Sequence, residues 1–292
     1  MKLLITIIVY LSIIISSTSF GELTVRYSPP ESKHDKRYVY FLSLLEIALK
    51  NTQDTDGSFS LEMSQSIMNQ DRAIASLQQN KYLDVIWTMT SVEREKLLLP
   101  IRIPLLKGLL GHRIFIIREA DKEKFFKVKT LTEMKQLQAG QGHDWPDTKI
   151  LQANGFPVTT SPNYEGLFTM LEHFRFDYFP RGVPEVWEEL KEYSNKSLVL
   201  EMNLMLYYPA PIYFFVNNSN ITLATRIEKG LWIAIDDGSF DELFYSHPSH
   251  AQVFKLAKME KRIIFKLSNP LLPKKTPVDN EKLWHKVTNH LP

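Results

Sequence analysis

Cysteine is absent from this 292-residue chain, which excludes a disulfide framework, a thiolate metal site, a cysteine nucleophile and a lipidated cysteine behind an export signal. Long apolar runs are also missing. Beyond the N-terminal segment none approaches the ~20 residues that a membrane-spanning helix needs. Charge of one sign is scarce too: the formal net charge is +2, with basic residues scattered among acidic ones. No basic stripe exists of the kind that phosphate backbones require, so nucleic acid is not an expected partner. The G-x-S-x-G elbow, the H-E-x-x-H helix and the phosphate-binding glycine loop are all missing. His247 and His250 stand three apart, but in a proline-containing stretch without a carboxylate set. Neither a metal site nor a cofactor is therefore expected.

What is present is ordinary globular material: 44% hydrophobic and 23% charged residues with 16 Pro and 11 Gly, enough chain for one large domain or two moderate ones. The first residues read as an address. Met1 and Lys2 give a positive start, residues 3–15 an apolar core, and residues 16–21 a small-residue run around one Phe. This order is that of a secretory signal peptide, residues 1–21, with cleavage expected after Ser19 or Gly21. The mature chain is expected to be soluble, periplasmic, unlipidated and monomeric.

The stretch 84–119 (DVIWTMTSVEREKLLLPIRIPLLKGLLGHRIFIIRE) organises the rest. An apolar strand, 83–89, leads through a polar turn to a second strand, 97–106, and a glycine break at Gly108 and Gly111 precedes a third strand at 113–118. Glycine tolerates the backbone angles that a crossing between lobes requires. Before it, residues 23–28 and 59–65 alternate as strands, 38–50 places Phe41, Leu44, Leu45, Ala48 and Leu49 on one helical face, and 69–79 is amphipathic. The order β-α-β-α-β marks an α/β sheet with ligand groups at the carboxyl ends of its strands.

Beyond Arg118 the pattern restarts. Helix is expected at 123–137, strand at 138–142, and a helix to about Ala153 opened by Asp144 as N-cap, with Pro146 in the first turn. Strand 158–161, helix 164–173, strand 175–179 ending in Pro180-Arg181-Gly182, and helix 186–193 follow. A strand at 198–206 leads to a return crossing at 208–217. Helices at 221–236 and 240–245, then a helix near 250–258 and a strand near 262–266, are expected to close the first lobe. The last twenty or so residues read as a surface tail with a short helix at Trp284.

On these residues the chain resembles the family 3 extracellular solute-binding proteins. The segment 231–244 (LWIAIDDGSFDELF) is similar to that family's late helix, aspartate-glycine turn and short aromatic helix, and DVIWTMTSVEREKLLLPIRIPL to its strand, polar turn, arginine and crossing strand. The resemblance implies a type II periplasmic-binding-protein fold, in which each lobe is a mixed sheet flanked by helices and two crossing hinge strands join them. The expected boundaries are 22–107 with 212–292 for the first lobe and 108–211 for the second.

It further implies a binding protein, not an enzyme, that captures a small polar, anionic or amino-acid-like ligand between closing lobes and delivers it to a membrane transporter of the ABC type. Presentation of the closed complex to a membrane signalling receptor is an alternative. A periplasmic dehydratase-like enzyme is a second, since a few proteins of this fold are dehydratases.

Thr88, Thr90 and Arg94 fall where the family binds an amino-acid ligand, and a guanidinium fork suits a carboxylate. Tyr27 stands where an aromatic side chain often covers the ligand, with Tyr38 as the other candidate. In the second lobe His143, Asp144 and Trp145 occupy the strand-to-helix junction, where free N–H groups bind anions in that family. Arg181 stands where the family usually places an acid for the ligand's ammonium. A cation there disfavours an α-amino group and favours a second anionic group.

Overall fold

In the computed structural model, which describes residues 22–30 and 37–286, twelve strands form three sheets among the described residues. The expected export signal lies outside the described residues. The strands are β1 (Leu23–Tyr27), β2 (Phe59–Met63), β3 (Ile86–Met89), β4 (Leu98–Ile101), β5 (His112–Arg118), β6 (Ala139–Gly142), β7 (Val158–Ser161), β8 (Tyr178–Gly182), β9 (Leu198–Leu200), β10 (Leu204–Tyr207), β11 (Ile212–Asn217) and β12 (Ile263–Lys266).

β1 and β2 pair in parallel, and a bridge from Tyr27 to Val85 joins them to the run that enters β3. β11 lies antiparallel between β3 and β4. A larger sheet runs β12-β10-β5-β8-β6-β7, with β9 pairing further along β5. Its central strand β5 is buried at every residue, the apolar run 114–117 and the polar ends His112, Arg113 and Arg118 alike. The helix Tyr38–Lys50 buries the face its periodicity predicts and packs on the helix Ile221–Asp236. Glycine makes that contact possible: a Cβ at Gly230 would stand 1.8 Å from the Ala48 carbonyl oxygen.

The structure departs from the sequence reading at several places, each for a local reason. Ser91 accepts a hydrogen bond from the Arg94 N–H (3.1 Å) and starts a helix, Val92–Leu97, so the predicted strand 97–106 shrinks to β4. The predicted helix 123–137 is two short helices, Lys122–Phe126 and Leu131–Met134. The second is opened by a reciprocal Thr130/Glu133 capping box. The predicted strand 175–179 moves forward to β8, because Phe174 takes a positive φ of 57° and the Arg175 N–H returns to the Met170 carbonyl to finish the preceding helix. Pro180, Arg181 and Gly182 thus lie within the strand instead of ending it.

The predicted strand 198–206 breaks at Glu201, whose carboxylate turns inward to accept from the backbone N–H groups of Asn203 and Leu204, both at 2.7 Å. β12 adds in parallel to β10 and so extends the larger sheet. The expectation that this strand closes the first lobe is corrected.

The expected surface tail is likewise corrected. Residues 268–285 form a strap over the crossings between the sheets. Asn269 Nδ2 donates to Pro209 O (2.7 Å), Val92 N–H to Leu271 O (2.9 Å) and His285 N–H to Lys107 O (2.8 Å). Leu283 beneath it is buried. Gly108 adopts φ of +77°, and a Cβ on it would stand 2.3 Å from the Trp284 ring. The crossings also touch each other: Tyr208 N–H donates to Gly111 O at 3.2 Å, and a Cβ at Gly111 would lie 2.2 Å from the Tyr208 carbonyl oxygen. No helix among the described residues is long and apolar enough to cross a membrane.

Candidate functional site

Between the smaller sheets and the larger one lies a cavity of about 190 Å³. One wall comes from the start of the helix Tyr38–Lys50, from β3 and from the helix Gln70–Gln78. The other comes from β5, β8 and the start of the helix Pro146–Ala153. β8 reaches the cavity near its carboxyl end at Arg181, whereas the antiparallel β5 and β11 reach it near their amino ends at Arg113 and Ile212.

The first wall is aromatic. Trp87, on β3, stacks on Phe41 (centroids 5.4 Å apart, planes at 18°) and meets Phe214 edge-on, which holds its ring in place. Tyr38, Tyr40 and Phe41 complete this side, and Thr88 and Gln70 are polar points in it. The Tyr40 hydroxyl donates to the Leu105 carbonyl at 2.6 Å, and burial pushes its pKa well up. On the opposite wall Trp145 stands parallel to Phe179 (6.2 Å) beside Tyr164. Gly142 is small enough to admit the Trp145 ring, since a Cβ there would approach it to 2.4 Å.

Six charged side chains form a buried network along the second wall. Arg37 meets Glu185 at 2.6 Å, Arg113 meets Asp147 at 2.6 Å, and Arg181 meets Glu189 at 2.6 Å. Glu185 lies further within 3.0 Å of Arg181 and 3.4 Å of Arg113. Tyr164 donates to Glu189 at 2.7 Å, and Tyr208 donates to Asp147. Burial disfavours the charge on Arg181, but Glu185 and Glu189 more than offset it and raise its pKa. Burial would lift the Glu185 carboxyl, yet Arg181, Arg37 and Arg113 hold it below the ordinary range. Three cations face three anions, so the network is internally neutral. Arg37 reaches it from the opposite wall and bridges the cavity.

Of the side chains singled out from sequence, Tyr38, Thr88, Trp145 and Arg181 line the cavity, as does His250. Arg94 is buried behind Thr88. Its guanidinium donates to Thr88 Oγ1 (2.5 Å), Met89 O (3.0 Å), Gln70 Oε1 (2.9 Å) and, from across the cavity, Asp144 O (3.1 Å). Asp144 does not cap its helix, a correction: the cap position is Trp145, one residue later, and the Asp144 carboxylate accepts instead from the Asp71 N–H at 3.4 Å. Thr90 is buried away from the cavity, donating to Glu95 at 2.8 Å. Tyr27 is buried against Trp87, with centroids 6.3 Å apart. His143 is exposed. Arg181 was expected to offer its cation to a ligand anion, but Glu185 and Glu189, four and eight residues further on, already match that charge.

Sequence reasoning missed Arg37, Arg113, Asp147, Glu185, Glu189 and Trp87. Their separation along the chain hides the network, although the Arg181, Glu185, Glu189 spacing was a readable hint of local pairing. No group of three or more His, Cys, Asp or Glu side chains that could hold a metal ion gathers among the described residues.

No family model matches the chain, and no curated protein matches it. Solved structures do. An ancestral arginine-binding protein bound to arginine is 19% identical, with a TM-score of 0.56 over 76% of this chain and 96% of that one. A Salmonella typhimurium periplasmic binding protein with high arginine specificity is 16% identical, with a TM-score of 0.56 over 76% of this chain and 97% of the other. An ancestral amino-acid-binding protein, a precursor of cyclohexadienyl dehydratase, is 14% identical, with a TM-score of 0.53 over 77% and 94%. At such identities the likeness is one of fold, and the chain has the mixed α/β, two-lobed fold of the periplasmic binding proteins.

Proposed function

We propose that this protein is an exported solute-binding protein that captures a small organic ligand between two lobes and presents the closed complex to a membrane transporter. The observation that carries this reading is the 190 Å³ cavity walled by two separate sheet systems. Arg37 to Glu185 and Arg94 to Asp144 cross it as bonds formed only when the walls approach. Solved proteins of this fold that bind arginine or lysine support it. The lobes we assign are 22–107 with most of 212–262, and 108–211 with β12, the strap tying the crossings. Export is read from residues 1–21. Binding, not turnover, is the activity assigned.

Ligand acts by its differential affinity for the closed state, shifting an open-closed equilibrium. The test is a thermal-shift screen of the protein starting at Glu22 against amino acids, dicarboxylates, polyamines and small aromatic or sugar-derived compounds. A ligand present at 100 times its Kd adds roughly 2.7 kcal/mol to stability. Saturable stabilisation with ligand recovered unchanged is the expected result. Stabilisation accompanied by conversion of the compound would identify an enzyme instead, and a screen negative in every class would defeat the binding reading. Capture by a membrane permease, against capture by a receptor's sensor domain, separates transport from signalling.

A further inference from the structure

The charges that a binding protein of this fold would offer an amino acid are already in use. Among the described residues, the charged side chains lining the cavity are Arg37, Arg113, Arg181, Asp147 and Glu185, and Glu189 lies behind them. Each arginine has an acid at 2.6 Å. Arg94 donates to four protein oxygens, one of them from the opposite wall. A zwitterion entering the cavity would have to lose its own hydration and also break pairs or hydrogen bonds the protein has already formed. Burial of charge without a new partner is costly, and exchange of one pair for another returns little.

What the cavity offers in quantity is flat apolar surface. Trp87 and Phe41 line one side and Trp145 and Tyr164 the other. An apolar cavity of ~150 Å³ accommodates benzene, so the 190 Å³ here admits one ring with a few further atoms. Among the described residues, one fully buried polar atom on the cavity lining is without a partner. Arg113 lines the cavity and is 2% exposed, and its Nε–H has no acceptor among the described residues, although its charge is matched by Asp147 and Glu185. A buried donor without an acceptor is destabilising, and a neutral hydroxyl or carbonyl oxygen on a ligand would satisfy it without adding charge.

We propose that the ligand is an uncharged single-ring aromatic molecule carrying a hydroxyl or carbonyl group, held between Trp87 and Trp145, and that α-amino acids are excluded. This rests on the solute-binding reading above. Trp87 and Trp145 supply apolar ring surface, Trp87 beside its stack on Phe41 and Trp145 beside the Arg181 guanidinium that stands 4.7 Å over its ring, and Arg113 supplies the hydrogen bond that selects a ring bearing an oxygen.

Matched probes test it: benzamide and phenol as neutral rings, benzoate as the same ring with a charge, and L-phenylalanine, L-arginine and L-glutamate as amino acids. Each is titrated against the protein starting at Glu22, with melting temperature and tryptophan fluorescence as readouts. The expected result is saturable stabilisation and a fluorescence change with benzamide or phenol, and at least tenfold weaker effects with benzoate and the amino acids. Trp87→Ala is expected to weaken the neutral-ring affinity about tenfold. Trp87→Phe, which keeps a ring and spares the core, is expected to recover most of it. Binding by an amino acid or benzoate in preference to the neutral rings overturns the ligand class and leaves the solute-binding reading standing. Binding by none of these probes overturns the ligand class, while the broader screen decides whether any solute binds at all. A Trp87→Ala protein that folds and binds the neutral ring as well as wild type removes Trp87 from the site.

Discussion

Glu189 holds Arg181 in the buried network, and Glu189→Leu is the perturbation that tests it. Its carboxylate accepts from Arg181 Nε at 2.9 Å to both oxygens and from Arg181 Nη2 at 2.6 Å, and it also accepts from Tyr164 at 2.7 Å. Arg181 and Glu189 are 3% and 4% exposed, so solvent does little to screen the pair. Removing one partner of such a pair costs about 3–5 kcal/mol, because the other is left charged in a low-dielectric setting. Arg181 keeps Glu185 at 3.0 Å, which places the loss at the lower end, about 3 kcal/mol. For a protein of this size that is a fall of roughly 6–12 °C in melting temperature.

The companion variant Arg181→Met with Glu189→Leu removes both charges and fills the space with apolar atoms. It is expected to recover most of the loss, since a buried pair is worth little more than a well-packed apolar one. Thermal and urea unfolding at pH 7 without ligand supply the assay. A single variant within about 2 °C of wild type, or a double variant worse than the single, would refute the account of this network.

Arg94→Ala is expected to lower stability by about 2–3 kcal/mol in the absence of ligand, since four oxygens lose a charged donor; an unchanged urea midpoint would show that those hydrogen bonds contribute nothing. His112 and His250 are held down to about 4 chiefly by burial, so the unfolded chain takes up their protons first as pH falls. Stability from these two is complete above about pH 6.5 and declines as pH drops from there towards 4. Urea midpoints should follow that slope, and replacing both by Gln should flatten it. The same slope in that variant would assign it to other groups, Glu185, with its lowered folded-state pKa, entering only as pH falls through the ordinary carboxylate range.

Local pattern carried far in this protein. The helix Tyr38–Lys50 and the helix Ile221–Asp236 have the limits their periodicity predicts, and β7 likewise. Those limits follow from short-range chemistry: apolar spacing, an Asn cap at Asn220 that accepts from the Leu223 N–H, and prolines that close off the strands. The order of these elements was enough to indicate a two-lobed α/β architecture. Boundaries moved where an unexpected cap or turn acted, at Ser91 and Phe174, and where a cap fell one residue later than expected, at Trp145.

The site followed a different logic. Arg37, Arg113, Asp147, Arg181, Glu185 and Glu189 come from separate strands, turns and helices, and beyond the local spacing of Arg181, Glu185 and Glu189 their sequence does not reveal that these cations and anions meet. Arg181 reads as an available cation in sequence and is a satisfied one in space. The sequence by itself determined the elements and their order, because those depend on neighbours within a few residues. The tertiary structure alone decided that β12 joins the larger sheet, that residues 268–285 strap the crossings and that the cavity is aromatic and charge-balanced, because each of these is a contact between distant segments whose energy exists only once the chain has folded.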